Sequence, residues 1–115
     1  MILMYKKWNK QFIGGEWKEG NSERIYVDQN PYNEETIAEI RLANEKDVDE
    51  AYRSAKEAQK EWEKVNPYQR QAIIEKAIQI VERRREEIVN VLVEENGASH
   101  TKANIEVSAA MGIMK

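Results

Sequence analysis

The 115-residue sequence contains no cysteine. This absence excludes disulfide bonds, thiolate metal sites and a cysteine nucleophile from the chain, and it is compatible with a reducing compartment. Histidine is scarce as well, because His100 is the only one. A catalytic imidazole needs a partner such as a nucleophile, and the sequence shows none for His100. We therefore interpret His100 as a solvent-facing or locally hydrogen-bonded side chain.

The sequence also lacks long apolar runs and basic blocks. An apolar start of four residues precedes the first lysines, which reverses the order of a signal peptide, and no run approaches the length of a membrane span. The net charge is −3, with both signs interleaved. We therefore expect a cytoplasmic protein whose partners include neither nucleic acid nor a membrane surface.

Only five glycines are present, and two of them are adjacent. Gly14 and Gly15 separate two short strand-like segments, 11–13 and 16–18, and this pattern predicts a tight hairpin because such turns require positive φ angles. A phosphate-binding loop is the alternative interpretation. Such a loop needs a helix start after the glycines, whereas Trp17 continues as a strand, so the hairpin is favoured.

The length allows one domain at most, and the patterns divide it into three regions. We predict a flexible N-terminus over residues 1–10, a region of β-hairpin and strands over 11–42, and a helical region over 44–115. Strand-like residues recur at 24–27 and, with alternating apolar side chains, at 36–42. The fold class predicted from these regions is α+β, with a short N-terminal β-hairpin and strands followed by three to four α-helices.

Capping residues predict where the helices begin and end. Asn44 and Asp47 can cap a first helix, and Asn66 with Pro67 and Gln69 has the residue pattern of a capping box at the start of a second. The charged residues 82–87 interrupt the apolar pattern, so we expect a break near Arg85. Gly97 is expected to end this segment in a left-handed conformation, and a last amphipathic helix is expected from about Ser99 or Thr101 onward.

Each predicted helix carries apolar residues at helical spacing. The first helix has them at Val48, Ala51, Tyr52, Ala55, Ala58 and Trp62. The central segment has a stripe that includes Ile73, Ile80, Val81, Ile88 and Leu92. The last helix has them at Ala103, Ile105, Ala109, Ala110 and Ile113. This helix reaches Lys115 without a capping signal, from which we expect a truncated chain.

Five segments in this order resemble the N-terminal region of the NAD(P)-dependent aldehyde dehydrogenase superfamily. They are FIGGEWKEG, a following strand, NPYNEETIAEI, NEKDVDEAYRSAKEAQKEW and PYQRQAIIEKAIQIVERRREEIVNVLVEENG. The resemblance covers nearly the whole chain from about Phe12. Where the family commonly has Glu-Thr-Gly-Lys, this sequence has residues 95–100, ENGASH. That difference, together with residues 102–106, KANIE, is similar to the benzaldehyde or vanillin dehydrogenase branch.

The resemblance implies a fragment of the α/β aldehyde dehydrogenase fold, comprising the N-terminal part of the cofactor-binding domain. Members of the family oxidise an aldehyde to a carboxylic acid with NAD or NADP, through a covalent thiohemiacetal. In the family, the nucleophile, the general base and the cofactor-binding loop lie beyond the first 115 residues. We therefore assign no catalytic and no cofactor-binding residue, and we expect no cofactor to bind this chain.

The resemblance also implies a structural monovalent cation site, because several family members hold such an ion. The corresponding positions are Asp28 and Gln29, before the Asn-Pro turn, and Glu106 on the last helix. The alternative is that Glu106 is an ordinary exposed glutamate.

Together these features predict an N-terminal aldehyde dehydrogenase fragment that is inactive as an isolated chain. Its expected partners are the remainder of the dehydrogenase and, in isolation, further copies of itself, which would bury the exposed helical apolar face in an oligomer. The alternative is a small non-enzymatic helical interaction module derived from the same segment.

Overall fold

A computed structural model describes residues 8–115, so seven residues of the predicted flexible N-terminus, 1–7, lie outside the described part. The described residues form short strands followed by helices, which confirms the predicted α+β class. The strands are β1 (Gln11–Ile13), β2 (Glu16–Lys18), β3 (Ile25–Gln29) and β4 (Thr36–Arg41). The helices are α1 (Glu45–Trp62), α2 (Pro67–Arg83), α3 (Arg85–Asn96) and α4 (His100–Met114).

The chain divides into two compact units. In the described part, the first unit comprises residues 8–29 and 34–64, and therefore contains the strands and α1. The second unit comprises Asn30–Asn33 and Val65–Lys115, and contains α2, α3 and α4. The helix α1 thus clusters with the strands that precede it.

The first pair of strands is the predicted hairpin. β1 and β2 are antiparallel, and Ile13 pairs with Glu16, so Gly14 and Gly15 form the whole loop. Their φ angles are 62° and 81°, a conformation that glycine adopts without steric cost. Trp17 continues as strand, as expected for a hairpin and not for a phosphate-binding loop.

The second pair of strands forms a separate antiparallel ribbon. Ile25 pairs with Arg41, and the register continues regularly to Asp28 opposite Ala38 before an irregularity between Asp28 and Gln29. Ile37 and Ala38 on β4 are buried. β3, in contrast, exposes a run of large apolar side chains.

The helix ends follow the predicted signals. Asn44 and Asp47 form a complete capping box at the start of α1, and the Asn66 side chain accepts a hydrogen bond from the Gln69 N–H (2.9 Å) at the start of α2. Ser99 caps α4 by accepting from the Lys102 N–H (3.2 Å). These side chains satisfy amide groups that the first helical turn leaves without partners.

The predicted break between α2 and α3 is confirmed at Arg84. This residue has φ −101° and ψ 15°, outside the helical range, and both flanking helices begin or end beside it. Gly97 ends α3 with φ 64°, and its N–H donates to the Val93 carbonyl (3.1 Å). The left-handed cap expected at Gly97 is therefore present.

The core of the second unit is small and centred on α4. Ala103, Val107 and Met111 recur every four residues along one face of α4 and are buried with Val89 of α3. The partly buried residues around this cluster include Ile78, Val81, Ile88, Leu92, Val93 and Ala98.

Only some of the apolar residues predicted to face the interior belong to this core. Val81, Ile88 and Leu92 pack against the core, whereas Ile73 remains 53% exposed and Ile80 37% exposed. On α4, Ala103 is buried as expected, but Ile105 and Ile113 face outward.

Candidate functional site

Asp47 is the centre of a hydrogen-bonded polar cluster in the first unit. Only 2% of this residue is exposed. Its carboxylate accepts hydrogen bonds from the N–H of Asn44 (3.0 Å), the N–H of Asn21 (2.8 Å) and the side-chain amide of Asn21 (2.5 Å). These bonds connect the turn after β2 to the first turn of α1.

The hydrogen bonds also determine the charge state of Asp47. Donation from the backbone N–H groups of Asn44 and Asn21 stabilises the carboxylate and lowers its pKa to about 2. An ionised group with several donors from its own chain is a poor general base, because taking up a proton would disrupt those bonds. We therefore interpret Asp47 as a structural anchor.

The surface beside Asp47 is polar and charged. It is lined by Asn21, Asn44, Lys46, Asp47, Asp49, Glu50 and Arg53. Lys18 Nζ donates a hydrogen bond to Glu50 Oε1 (2.5 Å), and this bond raises the pKa of Lys18. Within this set, Asn21, Asn44 and Asp47 hydrogen-bond to one another and Glu50 pairs with Lys18. The lining contains no serine, cysteine or histidine that could act as a nucleophile–base pair.

The arginines at the break between α2 and α3 bind carboxylates of their own chain. Arg84 makes two hydrogen bonds to Glu87 (2.6 and 2.8 Å), and these lower the pKa of the Glu87 carboxyl. Arg85 binds Glu82 (2.8 and 3.0 Å) and also donates to the Asn104 carbonyl of α4 (3.2 Å). Both guanidinium groups therefore stabilise the helical unit.

The residues predicted for a cation site belong to different units. Asp28 and Gln29 end β3 in the first unit, whereas Glu106 lies on α4 in the second. A Glu106 carboxylate oxygen is 3.5 Å from Lys102 Nζ. Among residues 8–115 the structure shows no group of three or more histidine, cysteine or acidic side chains placed to hold a metal ion. The cation site stays a prediction.

His100 lies at the first position of α4 and is exposed. Its carbonyl accepts a hydrogen bond from the Asn104 side chain (3.0 Å). This placement at a capped helix start is compatible with the local role expected from the sequence.

Two helical faces carry large apolar side chains that the described chain leaves exposed. On α1 these are Val48, Tyr52 and Trp62, with exposed fractions of 49%, 75% and 41%. On α2, Ile73, Ile74 and Ile80 form a second exposed set, which we call the α2 face. None of the described helices is both long enough and apolar enough to cross a membrane. Exposed apolar sets of this kind are typical of surfaces that another protein part covers.

The sequence profile of the aldehyde dehydrogenase family matches residues 17–115. The chain belongs to the aldehyde dehydrogenase family. This membership confirms the resemblance that the five sequence segments indicated.

Its relatives include enzymes that act on aromatic aldehydes. A benzaldehyde dehydrogenase of Bacillus subtilis is 41% identical over 114 residues, which are 99% of this chain and 24% of the relative. A vanillin dehydrogenase of Corynebacterium glutamicum is 47% identical over 106 residues, which are 92% of this chain and 22% of the relative. These similarities agree with the benzaldehyde or vanillin branch indicated by residues 95–106.

Solved structures show the same fold. The crystal structure of an NAD-dependent benzaldehyde dehydrogenase from Corynebacterium glutamicum matches 93% of this chain with a TM-score of 0.91 and 47% identity, and the match covers 23% of that structure. A putative aldehyde dehydrogenase from Bacillus subtilis matches 98% of the chain with a TM-score of 0.92 and 32% identity. The described fold is therefore that of the corresponding part of an aldehyde dehydrogenase.

The chain spans about a quarter of the length of the relatives that it matches. The matched part is their N-terminal part. These relatives thus contain a further three quarters of polypeptide that the 115 residues do not match.

Proposed function

We propose that this chain forms the N-terminal part of the cofactor-binding domain in an NAD(P)-dependent dehydrogenase that oxidises an aromatic aldehyde to its carboxylic acid. The observation that carries this proposal is the 47% identity and TM-score of 0.91 with a benzaldehyde dehydrogenase over 93% of the chain. Sequence similarity at this level over nearly the whole chain supports a shared role for the segment.

In this proposal the chain contributes architecture and no reacting group. Oxidation through a thiohemiacetal requires a thiolate, and the sequence contains no cysteine. NAD or NADP, when bound to the full enzyme, accepts the hydride from the substrate. The residues described above stabilise the fold of this segment. Asp47 connects the turn after β2 to α1, and Val107 belongs to the core beneath α2 and α3. The isolated chain is accordingly inactive.

The exposed apolar sets support a second part of the proposal, which concerns partners. In the full enzyme the remaining polypeptide covers the α2 face, Ile73, Ile74 and Ile80. The isolated chain buries the same face by self-association, because exposed apolar surface of this kind is unfavourable in water. We also place the protein in the cytoplasm. A fluorescent fusion that accumulates outside the cytoplasm would contradict this location.

A chimera tests the proposed enzymatic role. The matching segment of the Corynebacterium glutamicum benzaldehyde dehydrogenase is replaced by residues 17–115 of this chain, and NADH formation is followed with benzaldehyde and with a short aliphatic aldehyde. We expect a soluble chimera that oxidises benzaldehyde. The same enzyme without the segment, and the 115-residue chain alone, serve as controls and are expected to be inactive.

Two outcomes of this experiment would contradict the proposal. Turnover by the isolated chain would show that the chemistry does not require the missing three quarters. A soluble chimera without activity would favour the alternative, in which the segment is a non-enzymatic interaction module. Light scattering of the isolated chain over a wide concentration range tests its self-association, and a monomer throughout that range would exclude it.

The same chimera can be used to test the predicted cation site. We propose that Asp28, Gln29 and Glu106 contribute to holding a structural monovalent ion in the full enzyme. Replacement of Glu106 by glutamine should then change the dependence of chimera stability on sodium or potassium, whereas an identical dependence would indicate an ordinary exposed glutamate.

A further inference from the structure

β3 is an edge strand whose central residues are apolar and exposed. Ile25, Tyr26 and Val27 have exposed fractions of 50%, 57% and 42%. In the part of the chain that the structure describes, β3 pairs only with β4, so one of its edges has no partner strand. An isolated two-stranded ribbon is marginally stable in water and gains from a further strand.

The direction of the backbone groups on that edge follows from the register. Ile25 pairs with Arg41, so Arg24 lies opposite Leu42, and the Leu42 N–H donates to the Arg24 carbonyl (3.0 Å). In an antiparallel pair, alternate residues direct their N–H and C=O groups to opposite sides of the strand. The groups of Arg24, Tyr26 and Asp28 therefore face β4.

The intervening residues face the other way. Ile25 and Val27 direct their N–H and C=O groups away from β4, so each presents a donor and an acceptor on the free edge. Natural edge strands usually block such pairing with lysine, proline or a bulge. Residues 25–27 contain no charge and no proline, and the only irregularity of the ribbon lies beyond them, between Asp28 and Gln29.

The charges that flank this run make the strand complementary to itself. Residues 24–28 read Arg-Ile-Tyr-Val-Asp, with a cation at one end and an anion at the other. If a second β3 strand lies antiparallel with its Tyr26 opposite Tyr26, Arg24 of each copy lies directly opposite the second copy's Asp28. Opposite charges in this position stabilise a strand pair, whereas like charges destabilise it.

We propose that two copies of this chain pair through β3, antiparallel and centred on Tyr26, to form a continuous sheet in the order β4-β3-β3-β4. Ile25 of each copy exchanges backbone hydrogen bonds with the second copy's Val27, which is the pairing that the free N–H and C=O groups permit. Tyr26 is then a non-hydrogen-bonded position, where facing side chains approach most closely. This contact is distinct from the α2 face and does not depend on the proposed enzymatic role.

Charge reversal tests the register. We expect sedimentation equilibrium of the 115-residue chain to show a dimer or a higher oligomer, and either Arg24→Asp or Asp28→Arg to weaken this association at least about tenfold by placing like charges opposite each other. The double variant Arg24→Asp/Asp28→Arg restores opposite charges and should recover the wild-type association. Lys56→Glu, an equal change of charge at an exposed position of α1, is the control and should leave association unchanged.

The outcome that overturns the proposal is equally specific. A monomeric wild-type chain, single variants that associate as tightly as wild type, or a double variant no tighter than the singles would each exclude this pairing. Circular dichroism of every variant distinguishes lost pairing from lost folding. Recovery in the double variant is a result that a folding defect would not produce.

A disulfide measurement gives independent evidence, because the natural chain has no cysteine. In the Tyr26→Cys variant, the two thiols face each other across the proposed two-fold axis, and mild oxidation should give a disulfide-linked dimer. Tyr32→Cys, at a turn residue that is 92% exposed, is the matched control and should form far less. Equal cross-linking at both positions, or none at position 26, would contradict the pairing.

Discussion

Asp47 shows how a single residue can be both charged and buried. The backbone N–H groups of Asn44 and Asn21 take the place of water around its carboxylate, and this keeps its pKa near 2. In the unfolded chain the same carboxyl titrates near about 4. The folded state therefore binds the proton less readily, so Asp47 stabilises the fold fully above the unfolded pKa and loses this effect as pH falls.

We predict that the free energy of unfolding decreases between about pH 4 and about pH 2, and that Asp47→Asn flattens this part of the profile. At neutral pH the Asp47→Asn variant should unfold at lower urea, because an amide cannot accept all of these hydrogen bonds. Asp49→Asn, at an exposed neighbouring position, should retain the wild-type pH profile. Parallel profiles for wild type and Asp47→Asn would contradict the structural role.

Substitution of glycine by alanine should have opposite effects on the free energy of unfolding at Gly20 and at Gly112. A Cβ atom at Gly20 would lie against the backbone carbonyl oxygens of Arg41 and Leu42, so Gly20→Ala should lower the free energy of unfolding by about 1–3 kcal/mol. Gly112 lies in α4 with open space around it, so Gly112→Ala should raise it by about 0.5–1 kcal/mol. Urea denaturation measures both, and equal effects would refute the steric argument.

At the scale of secondary-structure elements, α4 is defined by the face that it buries. Ala103 is fully buried in the core that includes Val89 and Val107, whereas Ala109 is exposed on the same helix. Ala103→Leu should lower the free energy of unfolding by about 1–3 kcal/mol, because the added side chain has no space. Ala109→Leu should change it by less than about 0.5 kcal/mol. A similar loss in both variants would show that α4 does not pack as described.

The ends of the elements could be predicted because their signals are local. Gly14 and Gly15 supply the turn, Asn66 and Pro67 begin α2, and Gly97 ends α3, each through chemistry contained in a few neighbouring residues. The charged residues 82–87 predict a break near Arg85, and the structure has it one residue earlier, at Arg84. These features do not depend on what the rest of the chain does.

The faces of the elements could be predicted less well because burial depends on distant parts. The sequence of α4 is apolar on several sides, and packing in the second unit buries Ala103, Val107 and Met111 while Ile105 stays exposed. The apolar residues of α1 recur at helical spacing, yet Tyr52 is 75% exposed in this chain. The role of Asp47 as a buried anchor requires Asn21, which is 26 residues away and carries no sequence signal for this contact.

At the scale of the whole molecule, one substitution should act differently in the chain and in the enzyme. Ile73 is 53% exposed in a single chain, so Ile73→Glu should change the free energy of unfolding of the monomeric isolated chain, measured at high dilution, by less than about 0.5 kcal/mol. In the benzaldehyde dehydrogenase chimera, the same change places a charge on the α2 face that we propose to be covered. We expect at least about a tenfold loss of soluble, active chimera, since an unpaired buried charge is strongly destabilising.

Gln79→Glu adds a similar charge at an exposed position of α2 and is the control for this comparison. This control should change neither the free energy of unfolding of the isolated chain nor the yield and activity of the chimera. If Ile73→Glu left the yield and activity of the chimera unchanged, the α2 face would not be covered in the assembled enzyme.

The principal packing within each unit joins elements that are near one another in sequence, such as β1 with β2, β3 with β4, and α3 with α4. A ribosome therefore completes the first unit when residue 64 has emerged, and the second soon after residue 115. In a parent as long as the relatives, about three quarters of the polypeptide is still to be synthesised at that point, which takes on the order of tens of seconds. If the remaining polypeptide covers the α2 face, as we propose, that face stays exposed on the nascent chain during this interval, and we expect a ribosome-associated chaperone to bind it there.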